Sequence, residues 1–193
     1  MARTKQFNVD SVLDAAVQLF WQQGYHATSA RDLVNHLSVS RSSLYDTFGD
    51  KHSLYLQSLH QYRKRIIGKQ LYLIETSEDI RETIEALFGM VISQDSDAFR
   101  PKGCMIVNAA TELAGVDAEV AAIVKGSQWE VRKSLEMALK KAQNQGQFGA
   151  SKDPIAISHL VYNALTGLRV SLQVAQDPAV LGLIIKGTLS HLD

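Results

Sequence analysis

The segment at residues 28–55, TSARDLVNHLSVSRSSLYDTFGDKHSLY, constrains the fold more than any other part of the chain. A second short segment follows the tripeptide at 37–39 and carries serines, Arg41 and Tyr45 on its outer face. Such a face gains little from packing and much from a groove lined with phosphates and base edges. The segment therefore predicts a helix-turn-helix, in which the first helix supports the second and the second lies against DNA. The apolar stripe of the first helix is formed by Leu33, Val34 and Leu37.

Residues at the ends of these segments have the chemistry of helix caps. Ser29 is followed three residues later by Asp32, the spacing of a capping box. Ser40 is the predicted N-cap of the second helix, whose free backbone N–H groups then face any bound anion. Upstream, another apolar stripe ends at Gly24, and downstream a longer helix begins near Lys51. The head is therefore predicted as three helices that lead into a fourth.

The run from Phe20 to Leu56 resembles the N-terminal domain of the TetR (tetracycline-repressor) family of transcriptional regulators. The resemblance covers about the first third of the chain. It implies an all-α protein with a helix-turn-helix head at 1–50 and a helical effector-binding and dimerisation domain at 51–193. It also implies double-stranded operator DNA, a homodimer and a small-molecule effector as partners. The shared residues are Gly24-Tyr25 after an aromatic, Thr28-Ser29, Arg31-Asp32-Leu33, Val39-Ser40-Arg41, Leu44-Tyr45, Phe48, Lys51 and Leu54.

Two places depart from the family pattern. The family turn usually carries glycine where this chain has Ser38. A serine whose backbone adopts the left-handed conformation destabilises the fold by on the order of 1 kcal/mol. The family favours aromatic residues or histidine where this chain has Asp46 and Thr47. The carboxylate of Asp46 would be repelled by a phosphate, but it can accept a hydrogen bond from a cytosine amino group. We therefore expect the fold to be kept and the DNA contacts of Asp46 and Thr47 to differ from the family's.

Hydroxyl and basic side chains of the head are the candidate DNA contacts. Arg41 is expected to read a base edge or clamp a phosphate, and Ser42 to contact a base or phosphate closely. Tyr45 and Lys51 are expected as phosphate anchors, although the Tyr45 ring has packing as its alternative role. Thr28 has two interpretations, because the same hydroxyl serves a helix cap or a phosphate bond. The predicted DNA-binding residues are Thr28, Ser40, Arg41, Ser42, Ser43, Tyr45 and Lys51.

The charge distribution mildly favours a DNA-binding head. The whole chain has 20 Lys/Arg and 20 Asp/Glu residues, so its formal net charge is zero. Residues 1–65 hold eight Lys/Arg against five Asp/Glu, and residues 66–193 hold twelve against fifteen. A basic head on an acidic body fits a DNA-binding domain joined to a partner-binding domain. An excess of three charges is also within random fluctuation.

The last two helices are predicted to begin with the same capping motif, an aspartate at the N-cap followed by a proline at the first helical position. These pairs are Asp153-Pro154 and Asp177-Pro178, and the last helix is apolar around most of its circumference. The two helices either close the core of one chain or form a subunit interface, and the resemblance implies the second. The predicted dimer interface is Leu165, Leu168, Leu181, Ile184, Ile185 and Leu189.

The single cysteine, Cys104, follows Lys102-Gly103 at the start of a predicted helix. This stretch resembles a TetR subgroup, some of whose members sense electrophiles or oxidants through the thiol. A thiol in the first helical turn beside a lysine has a lowered pKa, which raises its thiolate fraction. The alternative is a small core residue, since free cysteine is often buried. In that case the effector is a small molecule in a pocket lined by residues such as Phe99, Trp129 and Tyr162.

Other classes of protein are not expected. The chain has no GxGxxG, Walker, HExxH or GxSxG pattern, so we expect no enzyme activity, catalytic residue or cofactor. No metal site is expected, because compact metal-ligand spacing is absent among His26, His36, His52 and His60. No apolar run reaches the roughly 20 residues of a membrane span, and no secretory signal is visible. We expect a cytoplasmic protein with no membrane partner and no intramolecular disulfide.

Together these features predict a ligand-responsive repressor. Two recognition helices of a dimer would enter successive major grooves of a pseudo-palindromic operator, roughly 34–36 Å apart. An effector in the C-terminal domain would favour a conformation with the wrong spacing, and release would follow as a population shift. The alternatives are a helical protein-interaction adaptor that retains the head, and a thiol-based sensor of the same family.

Overall fold

The computed structural model describes residues 7–96, 102–174 and 177–193. Within these ranges the chain forms helices and no strand, so the predicted all-α class is confirmed. A π-helical turn (Arg63–Ile67) joins the fourth and fifth helices, and a short 3₁₀ turn (Ser190–Leu192) follows the last. The helices are α1 (Val9–Gln23), α2 (Ala30–Leu37), α3 (Arg41–Phe48), α4 (Lys51–Tyr62), α5 (Gly68–Thr76), α6 (Ile80–Ser96), α7 (Met105–Glu112), α8 (Ala118–Asn144), α9 (Pro154–Ser171) and α10 (Pro178–Leu189).

Helix caps in the head form as their residue types predict. Ser29 and Asp32 make the predicted capping box, in which each side chain accepts a hydrogen bond from the other residue's backbone N–H. Ser40 Oγ accepts from the backbone N–H of Ser43 at 3.1 Å, so Ser40 caps α3. Ser38 adopts φ 54° and ψ 36°, the left-handed conformation for which glycine is better suited. The turn therefore carries the strain of about 1 kcal/mol expected for serine at this place.

The first of two compact units consists of two parts of the chain: the described residues up to Arg65, which include the head, and the segment Met105–Lys125. α1 packs on α4 and α2, while α7 packs on both α1 and α4. Burial of each large apolar side chain in this core stabilises the fold by about 1.5–3 kcal/mol. The buried side chains at its centre include Phe20, Leu33, Leu44, Leu54 and Tyr55.

The second unit contains Ile66–Cys104 and Gly126–Asp193. α6 packs on α9 and α10, and α9 packs on α10. The predicted starts of the last two helices are present, because Asp153 and Asp177 each accept a hydrogen bond from a backbone N–H and precede a proline in the first turn. No helix in the described ranges is long and apolar enough to cross a bilayer. The core of this unit includes Ile84, Leu87, Phe88, Val161, Leu165 and Leu168.

Candidate DNA-binding site

α3 has one buried face and one exposed face. Leu44 and Phe48 are buried in the first unit and fix the orientation of the helix. Arg41, Ser42 and Asp46 lie on the exposed side. Because the apolar residues brace α3 from behind, its polar face is presented to solvent without any loss of core packing. This is the geometry that a recognition helix requires.

The serines at the start of α3 are largely engaged with one another. Ser40 Oγ lies 2.8 Å from Ser43 Oγ and 3.1 Å from Ser42 Oγ, in addition to accepting from the backbone of Ser43. Ser40 and Ser42 are exposed, whereas Ser43 is half-buried. Ser42 therefore offers the most accessible hydroxyl, while Ser40 and Ser43 shape the helix start. The helix start also presents backbone N–H groups, which favour an anion such as phosphate.

Arg41 and Tyr45 lie one turn apart and support each other. The Arg41 guanidinium carbon lies 5.8 Å from the centre of the Tyr45 ring, within the range of a cation–π interaction. Among the described residues, no carboxylate lies within salt-bridge distance of Arg41. The Arg41 cation is therefore held on the exposed face with its hydrogen-bonding capacity available to a partner.

Thr28 is placed differently from the expectation of a phosphate contact. Its side chain is 0% exposed, and its Oγ1 donates a hydrogen bond to the backbone carbonyl of Gly24 at 2.6 Å. A buried hydroxyl cannot reach a DNA phosphate without unfolding of the turn. The structure therefore assigns Thr28 to the turn between α1 and α2, and corrects the DNA-contact alternative.

Lys51 begins α4 and lies against an aromatic ring. Its Nζ is 4.2 Å from the centre of the Tyr25 ring. Burial lowers the pKa of Lys51, whereas the nearby Glu112 carboxylate acts in the opposite direction and favours the charged form. Asp50 caps the helix, since its Oδ1 accepts from the Ser53 backbone N–H at 2.7 Å. The ammonium group is thus directed by Tyr25 and remains half-exposed.

Two carboxylates, one at the end of α7 and one just before α8, contact the α1–α2 turn and the first turn of α4. Glu112 accepts hydrogen bonds from the backbone N–H of Tyr25 at 3.0 Å and of His26 at 2.7 Å. Asp117 caps α8, and its Oδ2 lies 2.6 Å from Nε2 of His52. Local sequence patterns predict neither contact, because the partners are 65 to 87 residues apart. Gly24, whose φ is 80°, was the only local sign of a close approach.

Among the predicted effector residues that the structure describes, Cys104 and Tyr162 lie near each other, whereas Trp129 lines a separate cavity. Cys104 is only 2% exposed, and Phe99 lies outside the described residues. Burial raises the pKa of Tyr162, although a hydrogen bond with Thr166 and the Arg169 and Arg132 cations partly oppose this effect. Neither Cys104 nor Tyr162 lines the cavity between α5, α6 and α8, whereas Trp129 does. The placement of Cys104 agrees with the core alternative rather than with an accessible thiol.

A cavity of about 570 Å³ lies in the second unit between α5, α6 and α8. Its lining is mostly apolar, with carboxylates and lysines at the edge. Ser134 Oγ is buried there and finds no hydrogen-bond partner among the described residues. A buried hydroxyl without a partner is unfavourable, so a ligand that bonds to it would be stabilised. The lining includes Leu71, Ile74, Thr83, Trp129, Ser134 and Met137.

The predicted interface residues divide into two groups. Leu165, Leu168 and Leu189 are buried within a single chain, so they have no surface left for a partner subunit. Leu181 is also buried, whereas Ile184 and Ile185 are half-exposed. The apolar side chains that α9 and α10 present to solvent are instead Ile155, Leu160, Val170, Val180 and Leu183.

The braced recognition helix, with its exposed arginine and hydroxyls, defines the class of helix-turn-helix DNA-binding proteins. Residues 12–57 match the family model described as "Bacterial regulatory proteins, tetR family". Residues 81–187 match the one described as "Tetracyclin repressor-like, C-terminal domain". The chain therefore belongs to the TetR family and is a DNA-binding transcriptional regulator.

Relatives of similar length support this assignment. An uncharacterised HTH-type transcriptional regulator, YezE of Bacillus subtilis (strain 168), is 29% identical over 194 residues, which cover all of both chains. The HTH-type transcriptional repressor ComR of Escherichia coli (strain K12) is 28% identical over 172 residues, 88% of this chain and 81% of that protein. A cysteine mutant of the TetR-family regulator CifR, complexed with 26-bp double-strand operator DNA, shares the fold. Its TM-score is 0.87 at 23% identity, with complete coverage of both chains.

Proposed function

We propose that this regulator is a repressor that binds a pseudo-palindromic operator as a homodimer and is released by a small-molecule effector. The observation that carries the proposal is the exposed start of α3, where Arg41 has no carboxylate partner among the described residues and Ser42 is accessible. Water accepts from the guanidinium N–H groups of the free protein, and a base edge or a phosphate can take the place of this water.

Arg41 is proposed as the main base-reading residue, because a guanidinium can donate two hydrogen bonds to O6 and N7 of guanine. Ser42 adds a short hydroxyl contact beside it. Tyr45 and Lys51 are proposed as phosphate anchors that fix the register of α3 without reading sequence. Two similar proteins are in keeping with this proposal, since ComR is named a repressor and a CifR mutant is complexed with operator DNA.

The homodimer is proposed from the apolar surface of α9 and α10. The exposed side chains of that surface include Leu160, Val170 and Leu183. Large apolar side chains exposed on two helices that pack against each other favour a protein partner, and a second copy of the chain supplies a self-complementary one. A twofold arrangement would repeat α3 at the spacing of one helical turn of DNA, roughly 34–36 Å.

The cavity beside Trp129 is the proposed effector site. Its volume of about 570 Å³ suits a small organic molecule, and its lining combines apolar walls with the unpartnered hydroxyl of Ser134. An effector that binds better to one conformation of the dimer than to the operator-bound conformation would shift the population and release DNA. The chain has two tryptophans, so in a Trp21→Phe variant the fluorescence of Trp129 would report ligands at this site.

The test of operator binding compares two losses of one positive charge. An operator is first located by footprinting the purified protein on the promoter region beside its own gene. Arg41→Ala is expected to weaken binding by about 1–3 kcal/mol, whereas Lys64→Ala, exposed in the π turn, should change it much less. Wild-type affinity of Arg41→Ala would refute the assigned face. Absence of any footprint for the wild type would favour the adaptor alternative.

A further inference from the structure

The turn between α1 and α2 is held by a single carboxylate from α7. Glu112 Oε2 accepts from the Tyr25 backbone N–H at 3.0 Å, and Oε1 accepts from that of His26 at 2.7 Å. Both oxygens are therefore used, and the bond from His26 is in the short range typical of charge-assisted hydrogen bonds. Such bonds are roughly twice as strong as neutral ones. The turn is consequently fixed to α7 as well as to its own helices.

The sequence of the turn is adapted to this carboxylate. Gly24 has φ 80°, and a Cβ built on it would lie 2.9 Å from Glu112 Oε2. A side chain at this residue would therefore collide with the carboxylate. Thr28 closes the same turn from inside by donating to the Gly24 carbonyl. The close approach of Glu112 and the absence of a side chain at Gly24 thus depend on each other.

The held turn is connected to a predicted DNA contact through an aromatic ring. Glu112 fixes the backbone of Tyr25 through a hydrogen bond. The ring of the same residue lies 4.2 Å from Nζ of Lys51. The ring is also packed 5.0 Å from that of Tyr55, which is buried. Glu112 further favours the charged form of Lys51. The Lys51 ammonium is thus placed by a chain of contacts that begins at α7.

We propose that Glu112 is a positioning residue for DNA binding, which acts through Tyr25 to hold Lys51 at its phosphate contact. The proposal rests on operator binding by the head and does not depend on the effector. Glu112 itself does not touch DNA in this scheme. A carboxylate on α7 would in this way set the affinity of a surface formed by α3 and α4.

The sign of the effect separates positioning from charge. Glu112→Gln removes one negative charge from the DNA-binding unit, and by electrostatics alone this strengthens binding to a polyanion. Positioning requires the opposite, because the amide has one acceptor oxygen where the carboxylate offers two. The matched control is Glu119→Gln, which removes the same charge from a side chain in the same unit that is 70% exposed and lies 3.9 Å from Nδ1 of His52.

Operator affinity is measured for wild type, Glu112→Gln, Glu119→Gln, Lys51→Ala and the double variant of Glu112 and Lys51, over a range of salt concentrations. Glu112→Gln should weaken binding roughly tenfold and lower the salt slope by about one, as loss of one phosphate contact does. Glu119→Gln should leave affinity unchanged or raise it. In the Lys51→Ala background Glu112→Gln should add at most about a twofold loss, because the two residues act in series.

Equal or tighter binding by Glu112→Gln would overturn the proposal, and so would an undiminished loss in the Lys51→Ala background. If Glu112→Gln fails to fold by circular dichroism, Tyr25→Leu keeps both backbone hydrogen bonds and removes only the ring. That variant should show the same loss of affinity and salt slope, and an unchanged slope would refute the link to Lys51. Failure of the proposed function is distinguishable, because wild type would then bind no operator.

Discussion

Replacing Gly24 with alanine tests the packing of the α1–α2 turn most directly. Gly24 has φ 80° and ψ 176°, a conformation that residues with a Cβ rarely adopt. The added Cβ would lie 2.9 Å from Oε2 of Glu112, closer than van der Waals contact allows. The alanine must therefore distort the turn or push the carboxylate away from the N–H groups of Tyr25 and His26.

The expected cost has two parts. Backbone strain in such a conformation is about 1–3 kcal/mol. A hydrogen bond to a charged group contributes about 1.5–3 kcal/mol, and a displaced Glu112 loses at least one of its two. Gly24→Ala should therefore lower the free energy of unfolding by about 3–5 kcal/mol. In a chain of this size the Tm should fall by roughly 10 °C.

The assay is thermal and urea unfolding followed by circular dichroism, with two controls. Gly146→Ala also introduces a Cβ at positive φ (76°), but no described atom lies within 4 Å of it, so only strain is expected. In a Glu112→Ala background the contact is absent, so Gly24→Ala should cost at least about 1 kcal/mol less than in wild type. An equal cost in both backgrounds would refute the role of Glu112 in the turn.

Three further predictions concern assembly, pH and the thiol. Leu183, which is 69% exposed on α10, is expected in the dimer interface, so Leu183→Glu should give folded monomers in analytical ultracentrifugation. Hydrogen bonds from Val120 N–H and with His52 lower the pKa of Asp117 in the folded protein. The ionised carboxylate therefore stabilises the fold at a pH above the pKa of the unfolded chain. This stabilisation is lost as the pH falls through the pKa of the folded protein. The difference in urea midpoint between wild type and Asp117→Asn should therefore shrink below about pH 4; a widening difference would contradict this. Cys104 is buried, so wild type and Cys104→Ser should release operator equally on treatment with a mild oxidant or a quinone, and faster release of wild type alone would instead support thiol sensing.

Local chemistry in the sequence predicted much of the head. The capping box of Ser29 and Asp32 and the N-cap at Ser40 involve residues three apart, so their geometry follows from neighbouring residue types. The same holds for the starts of α9 and α10, where aspartate precedes proline. These features need no knowledge of the remaining chain.

Local patterns could not predict whether the apolar residues of α9 and α10 lie in the core of one chain or in an interface. Leu165 and Leu168 have the helical spacing of an interface and also that of a core, because both environments select the same side chains. Only the packing of α6 against α9 and α10 shows that one chain already buries them. Leu160, Val170 and Leu183 are exposed instead, and they are the ones proposed for a partner subunit.

The sequence by itself determined the class of fold, the helix ends and the polar face of α3, since each depends on residues within one or two turns of one another. Tertiary structure decided which groups control that face. Thr28 proved to be buried, and Glu112 was found to hold the backbone of Tyr25 from 87 residues away. A carboxylate on a helix carries no local sign of its distant partner. Its role is set by the packing of α7 on α1 and α4, which exists only once the chain has folded.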